Sequence, residues 1–97
     1  MNKPWCSIIV PTLFEKPMTL ECLPSFDELW KLSIEVIVVR DRWGWRNASR
    51  SRNVGAAVAK GFVLCFIDDD ANLRFDQLVT VLKDFARLRQ DGHKLFY

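Results

Sequence analysis

The chain has 97 residues, of which 49% are apolar and 27% charged, and its net charge is +2. This composition predicts one globular domain over residues 1–97 and excludes a disordered chain, because it provides enough apolar surface for one core. Apolar runs are shorter than the roughly 18 residues of a membrane span, and we expect no signal peptide. Cys6, Cys22 and Cys65 form no C-x-x-C pair, which favours reduced, buried thiols in a cytoplasmic protein.

Predicted strands and helices alternate along the chain. In order they are a strand at Cys6–Val10 ended by Pro11, a helix over Pro17–Leu32, a strand at Ile34–Val39, a helix over Ser49–Lys60, a strand at Phe62–Ile67, a helix from Phe75 and a short strand at His93–Tyr97. The strands show no polar alternation, which is typical of strands buried on both faces. We therefore expect an α/β fold, a Rossmann-like three-layer sandwich with a small, mostly parallel sheet in the order β-α-β-α-β-α-β.

Local signals refine the first two helices. Pro24 should break or kink the first helix, because proline lacks the N–H that a helix interior needs. Trp30 falls on the apolar face of that helix and is predicted to lie in the core. Ser49 or Ser51 is the predicted N-cap of the second helix, and Gly61 its stop.

The unusual residues follow the predicted strands, where parallel α/β sheets place their ligand crevice. One segment, Arg40–Arg52, holds five arginines against one aspartate, and another is the triplet Asp68–Asp70. Consecutive carboxylates repel one another, and a divalent cation such as Mg²⁺ or Mn²⁺ would offset that repulsion. In an extended strand Asp68 and Asp70 would share a face, with Asp69 pointing away. Arginines and a helix N-terminus bind phosphate, so the pattern predicts a diphosphate site. The alternative is that the aspartate triplet caps a helix or lies in solvent.

Three motifs resemble family 2 glycosyltransferases with the GT-A fold. C-S-I-I-V-P-T-x-x-E at Cys6–Glu15 resembles the opening strand of that family, and E-V-I-V-V-R-D at Glu35–Asp41 resembles its second strand. S-R-N-V-G-A-A-V-A-K-G-F-V-L-C-F-I-D-D-D at Ser51–Asp70 is similar to the family block A-R-N-x-G-x-x-x-A-x-G-x-x-x-x-F-L-D-x-D. Together the motifs cover most of the chain.

The resemblance implies a metal-dependent glycosyltransferase that uses a UDP- or GDP-sugar with Mg²⁺ or Mn²⁺. Site roles carry over by family analogy: Pro11, Thr12 and Glu15 line the base and ribose pocket, Asp41 contacts the base, Arg52 reaches the base or the diphosphate, Asp68 lies near the ribose and beside the metal, and Asp70 holds the metal. These motifs specify neither the sugar nor the acceptor that would receive it.

The sequence also departs from the family pattern. Leu13-Phe14 stands where the family has Tyr-Asn, Arg40 replaces the first aspartate of a strand-end pair, and Arg42-Trp43 replaces Gly-Ser. These changes fall on the positions that would contact the base. The family's acceptor-binding half supplies its catalytic base, and no residue here matches that motif. We therefore expect the donor-binding half of a GT-A fold, a minimal or truncated member, with His93 as plain surface.

Two other functions stay open from the residues alone. One is a nucleotide-binding or interaction module without transfer activity. The other is a single-stranded nucleic-acid-binding protein that stacks bases on Trp43 and Trp45 and contacts phosphates with arginines. The acidic triplet counts against the second, because it would repel a polyanion. A homodimer is also expected, since so small a sheet leaves a strand edge and apolar helix faces to be covered.

Overall fold

The computed structural model describes residues 3–13, 17–41 and 48–90. The elements in chain order are β1 (Cys6–Thr12), a 3-10 helix (Met18–Cys22), α1 (Phe26–Lys31), β2 (Ile34–Arg40), α2 (Ala48–Val58), β3 (Val63–Phe66) and α3 (Phe75–Gln90). The fold is α/β, and the predicted alternation of strands and helices is confirmed through α3. The strand predicted at His93–Tyr97 lies outside the described residues. Within the described part, no helix is long and apolar enough to cross a membrane.

The sheet has the order β2-β1-β3, and its strands are parallel. β1 pairs with β2 along its whole length, from Cys6 opposite Ile34 to Thr12 opposite Arg40. Its pairing with β3 ends at Ile9. The sequence predicts that Pro11 ends the first strand, but β1 continues through it, because β2 still runs alongside at this point. This small parallel sheet is compatible with a Rossmann-like sandwich.

Different helices cover the two faces of the sheet. On one face lies the core, formed by Cys6, Ile8, Val10, Ile34, Val63, Cys65 and Ile67 of the sheet region, Leu29 of α1, and Leu78 and Leu82 of α3. On the other face, α2 packs against β1 and β2. A Cβ atom at Gly55 of α2 would lie 2.5 Å from Cγ2 of Ile9, so glycine permits the close approach of this helix to the sheet.

The region before β2 differs in part from its predicted form. Pro24 lies between the 3-10 helix and α1, so the predicted break is confirmed. Ser25 caps α1, because its Oγ accepts a hydrogen bond from the N–H of Glu28 at 3.3 Å. The prediction that Trp30 lies in the core is wrong, since this residue is 47% exposed. With only six residues, α1 buries Leu29 against the outer strand β2 and leaves the neighbouring tryptophan at the surface.

The predicted cap of α2 is also wrong. The helix begins at Ala48, so Ser49 and Ser51 both lie inside its first turns. Ser51 is buried, at 3% exposure. Serine is favoured as a cap because its side chain bonds the first free N–H groups, but packing against the sheet takes precedence here.

Hydrogen bonds join the α2–β3 connection to the sheet at the amino ends of the strands. The buried hydroxyl of Ser7 donates to Oε2 of Glu35 and accepts the backbone N–H of Gly61 at 2.8 Å. The backbone N–H of Lys60 donates to the same carboxylate oxygen at 2.7 Å. These bonds satisfy two buried or half-buried side chains on the face covered by α2.

We expect Gly61→Ala to destabilise the fold by about 1–3 kcal/mol, because overpacking a close backbone contact forces a shift. The added Cβ would lie 2.7 Å from the carbonyl carbon of Cys6 and from the nitrogen of Ser7. Urea unfolding followed by circular dichroism measures the change. Lys60→Ala is the matched control and should stay within about 0.5 kcal/mol, since only its backbone makes the contact. A Gly61→Ala protein as stable as the parent would contradict this packing.

Candidate functional site

The carboxyl ends of the three parallel strands meet at one edge of the sheet. The N–H of Asp41 donates to the carbonyl of Thr12 at 2.8 Å, which ties the end of β2 to the end of β1. The N–H of Ile67 donates to the carbonyl of Ile9 at 3.0 Å, which continues β3 towards the three aspartates. The fold therefore brings together these predicted site residues from three strand ends: Pro11, Thr12, Asp41, Asp68 and Asp70.

The three aspartates have different surroundings. Asp68 and Asp70 are exposed, whereas Asp69 is half-buried. Oδ2 of Asp69 accepts a hydrogen bond of 2.8 Å from Oγ1 of Thr12, which is only 6% exposed. The carbonyl of Asp69 accepts the N–H of Thr19 at 3.0 Å. The middle aspartate is thus engaged by the fold, and its two neighbours face solvent.

A turn presents the two exposed carboxylates. The N–H of Ala71 donates to the carbonyl of Asp68 at 3.1 Å, which closes the chain around Asp69 and Asp70. Sequence reasoning separated Asp69 from its neighbours by strand alternation, but it did not find the contact with Thr12. A threonine at the end of one strand and an aspartate after another, 57 positions apart, gave no local signal of it.

Arg52 of α2 lies beside this turn. Its Nη2 is 4.0 Å from Oδ1 of Asp68, and the two side chains are 42% and 78% exposed. An ion pair this open contributes little to stability, because water screens it. The contact nevertheless places a guanidinium next to the exposed carboxylate of Asp68. The edge of the sheet thus carries groups that can bind an anion and a cation side by side.

The described carboxylates limit the kind of metal site that this edge could form. Within the described residues, no group of three or more His, Cys, Asp or Glu could hold a metal ion, so there is no closed protein cage. Mg²⁺ commonly binds one or two carboxylates together with water and substrate phosphates. Asp68 and Asp70 are the exposed carboxylates of the turn, whereas Asp69 is engaged by Thr12.

The two core cysteines, Cys6 and Cys65, supply neither a nucleophile nor a metal ligand to this site. All three cysteines are unpaired, as predicted; Cys6 and Cys65 are buried, and Cys22 is half-buried. Burial raises the pKa of the Cys65 thiol to about 12, and burial also raises the pKa of Cys6, with Cys65 and Glu35 adding to the effect. Both core thiols therefore stay protonated near neutral pH, and a protonated thiol is neither a nucleophile nor a metal ligand.

The chain was compared with models of protein families, with curated proteins and with solved structures. None of the three comparisons found a match. The resemblance to family 2 glycosyltransferases rests on the three sequence motifs. The motifs span the three strands and most of α2, and the site residues assigned through them that the structure describes lie at or after the carboxyl ends of the strands or, for Arg52, on α2.

Some predicted site residues lie outside the described part of the chain. Among them are Glu15, assigned by resemblance to the nucleotide pocket, and Arg42, Trp43, Trp45 and Arg46 of the basic segment; His93, expected to be plain surface, also lies outside it. In the described part, Thr19 is the residue that sequence reasoning overlooked near the site. Its hydroxyl is fully buried and finds no hydrogen-bond partner among the described residues, although its backbone N–H bonds Asp69. A buried, unpaired hydroxyl costs stability.

Proposed function

We propose that this domain binds a nucleoside-diphosphate sugar through a divalent cation and works as a glycosyltransferase-type domain. One observation carries the proposal: at the carboxyl edge of a parallel sheet, Asp68 stands exposed beside Arg52, and Asp70 is exposed in the same turn. That edge is where open α/β sheets bind their ligands. The family resemblance, which covers the same residues, supports the nucleotide sugar as the ligand.

Each residue of this edge has a part in the proposed binding. Asp70, with Asp68, would hold Mg²⁺ or Mn²⁺, and the cation supplies charge that stabilises the departing nucleoside diphosphate. Arg52 would bind a phosphate through paired hydrogen bonds, which suits the planar fork of its guanidinium. Pro11 and Thr12 would form the wall of the base and ribose pocket, together with Asp41 and Glu15.

Transfer needs an acceptor and a group that takes its proton, and no residue has been assigned to that role. A module that binds the donor without transferring the sugar therefore stands as the second candidate. The same geometry favours this binding module, because every role proposed above for the residues at this edge concerns binding of the donor. We also propose that the protein is cytoplasmic, in keeping with its unpaired thiols, and that it forms a homodimer.

Calorimetry on the whole 97-residue chain tests the proposal directly. UDP, GDP and their sugar conjugates should bind at least about tenfold more tightly with Mn²⁺ than with a chelator, a difference of about 1.4 kcal/mol. Absence of metal-dependent binding for every one of them would overturn the proposal. If binding is found, assays of sugar transfer and of sugar-nucleotide hydrolysis separate the enzyme from the binding module.

A further inference from the structure

β2 is an outer strand of the described sheet, and its long lateral edge is not paired with another described strand. It pairs with β1 on one side, and on the other side it meets no strand of the described residues. Its sequence is I-E-V-I-V-V-R, so four β-branched residues in a row, Val36–Val39, run along the strand without a charge or a proline. Natural proteins usually shield such edges with charges, prolines or bulges, because bare edges pair with other strands. The opposite outer strand, β3, is shorter, at four residues.

An apolar groove with one acidic wall lies beside this edge. It has a volume of about 280 Å³ and runs between α1 and the first half of β2, lined in part by Phe26, Asp27, Trp30, Ile34 and Val36. The aromatic side chains are half exposed, Phe26 at 54% and Trp30 at 47%. No salt bridge among the described residues involves Asp27. An arginine side chain matches this groove, because it can pair with the carboxylate and stack on the indole.

The other end of β2 carries that arginine. Arg40 is exposed and forms no salt bridge within the described residues. Strand alternation places Arg40 on the same face of the sheet as Ile34 and Val36, which line the groove. An acidic groove therefore lies beside the first half of β2, and a basic residue, Arg40, ends the strand. When two such strands run antiparallel, the basic end of each lies next to the acidic groove of the other.

We propose that two copies of the chain pair their β2 strands antiparallel about a two-fold axis at Ile37, which joins their described strands, three from each copy, into one continuous sheet. In this register the partner's Arg40 lies opposite Ile34, on the face where Asp27 and Trp30 line the groove. Symmetry makes the contact twice, once in each groove. A parallel pairing would set like charges together and leave both grooves empty. The inference rests on the homodimer of the proposed function and is independent of nucleotide binding.

Charge reversal tests this interface in the full chain. Sedimentation equilibrium from about 1 to 100 µM should show a dimer of twice the 11.3 kDa chain mass. Arg40→Glu and Asp27→Arg should each weaken dimerisation at least about tenfold, because each sets like charges against one another in both grooves. The double variant should dimerise again, since it restores opposite charges. Asp84→Lys, on an exposed position of α3, is the matched control and should leave the dimer unchanged.

The outcomes separate this inference from the rest of the proposal. A parent chain that is monomeric at every concentration would overturn both the interface and the homodimer. A dimer that withstands both single reversals would overturn the β2 pairing and leave self-association through another surface. Circular dichroism confirms that the variants are folded, and rescue by the double variant excludes a loss caused by unfolding. As a second readout, amide exchange along β2 should be slower in the parent dimer than in Arg40→Glu.

Discussion

Asp70→Asn is expected to abolish metal-dependent binding of UDP and GDP, with a loss of affinity of at least about 100-fold. The substitution keeps the size of the side chain and removes the charge that would hold the cation. Asp70 is exposed, and within the described residues no salt bridge or hydrogen bond occupies its carboxylate. Calorimetry with UDP and Mn²⁺, repeated with a chelator, measures the effect.

The same substitution should leave the fold intact, within about 0.5 kcal/mol of unfolding free energy, because an exposed side chain contributes little to packing. Asp84→Asn on α3 is the matched control, since it removes one exposed carboxylate that lines a groove with Trp5 and Phe62, near the amino ends of β1 and β3, and it should bind as the parent does. If Asp70→Asn retains manganese-dependent binding, the carboxylate does not hold the metal, and the assignment by resemblance fails at that residue.

Much of the fold could be predicted because the strands are short apolar runs with local boundaries. C-S-I-I-V, I-E-V-I-V-V and F-V-L-C-F-I each mark a buried strand, and the helices between them require parallel pairing. Parallel order then places Thr12, Asp41 and Asp68 at one edge without any knowledge of side-chain contacts. The order of the elements was therefore enough to predict that these residues lie at the same end of the sheet.

Other features depend on contacts that no local pattern encodes. Helical periodicity places Trp30 and Leu29 on neighbouring faces of one short helix, and only packing against β2 decides which of them is buried. The bonds from Ser7 to Glu35 and Gly61 join positions 28 and 54 residues apart, and they depend on the register of the sheet. The acid that sequence reasoning set aside, Asp69, is the one that the fold engages most closely.

The Thr12–Asp69 hydrogen bond gives the second large expected effect. Thr12→Val and Asp69→Ala should each destabilise the fold by about 1–3 kcal/mol, because the bond has a charged acceptor and a nearly buried donor. Thr12→Ser keeps the hydroxyl and should retain most of the stability. In a double-mutant cycle measured by urea unfolding, the two losses should overlap by at least about 1 kcal/mol, since both remove one bond.

These variants should also weaken binding of UDP with Mn²⁺ about tenfold at temperatures where they stay folded, because second-shell contacts orient metal ligands. The bond fixes the turn whose flanking residues, Asp68 and Asp70, would hold the cation. A loss of stability with unchanged affinity would show that Thr12 and Asp69 support the fold alone. A loss of affinity that Asp69→Ala shows as well, and that Thr12→Ser restores at position 12, would show that the bond positions the carboxylates, because Asp69 has no part in the proposed nucleotide pocket. Measuring stability and affinity on the Thr12 and Asp69 variants therefore tells a metal site that the fold positions from an acidic turn that only lies at the surface.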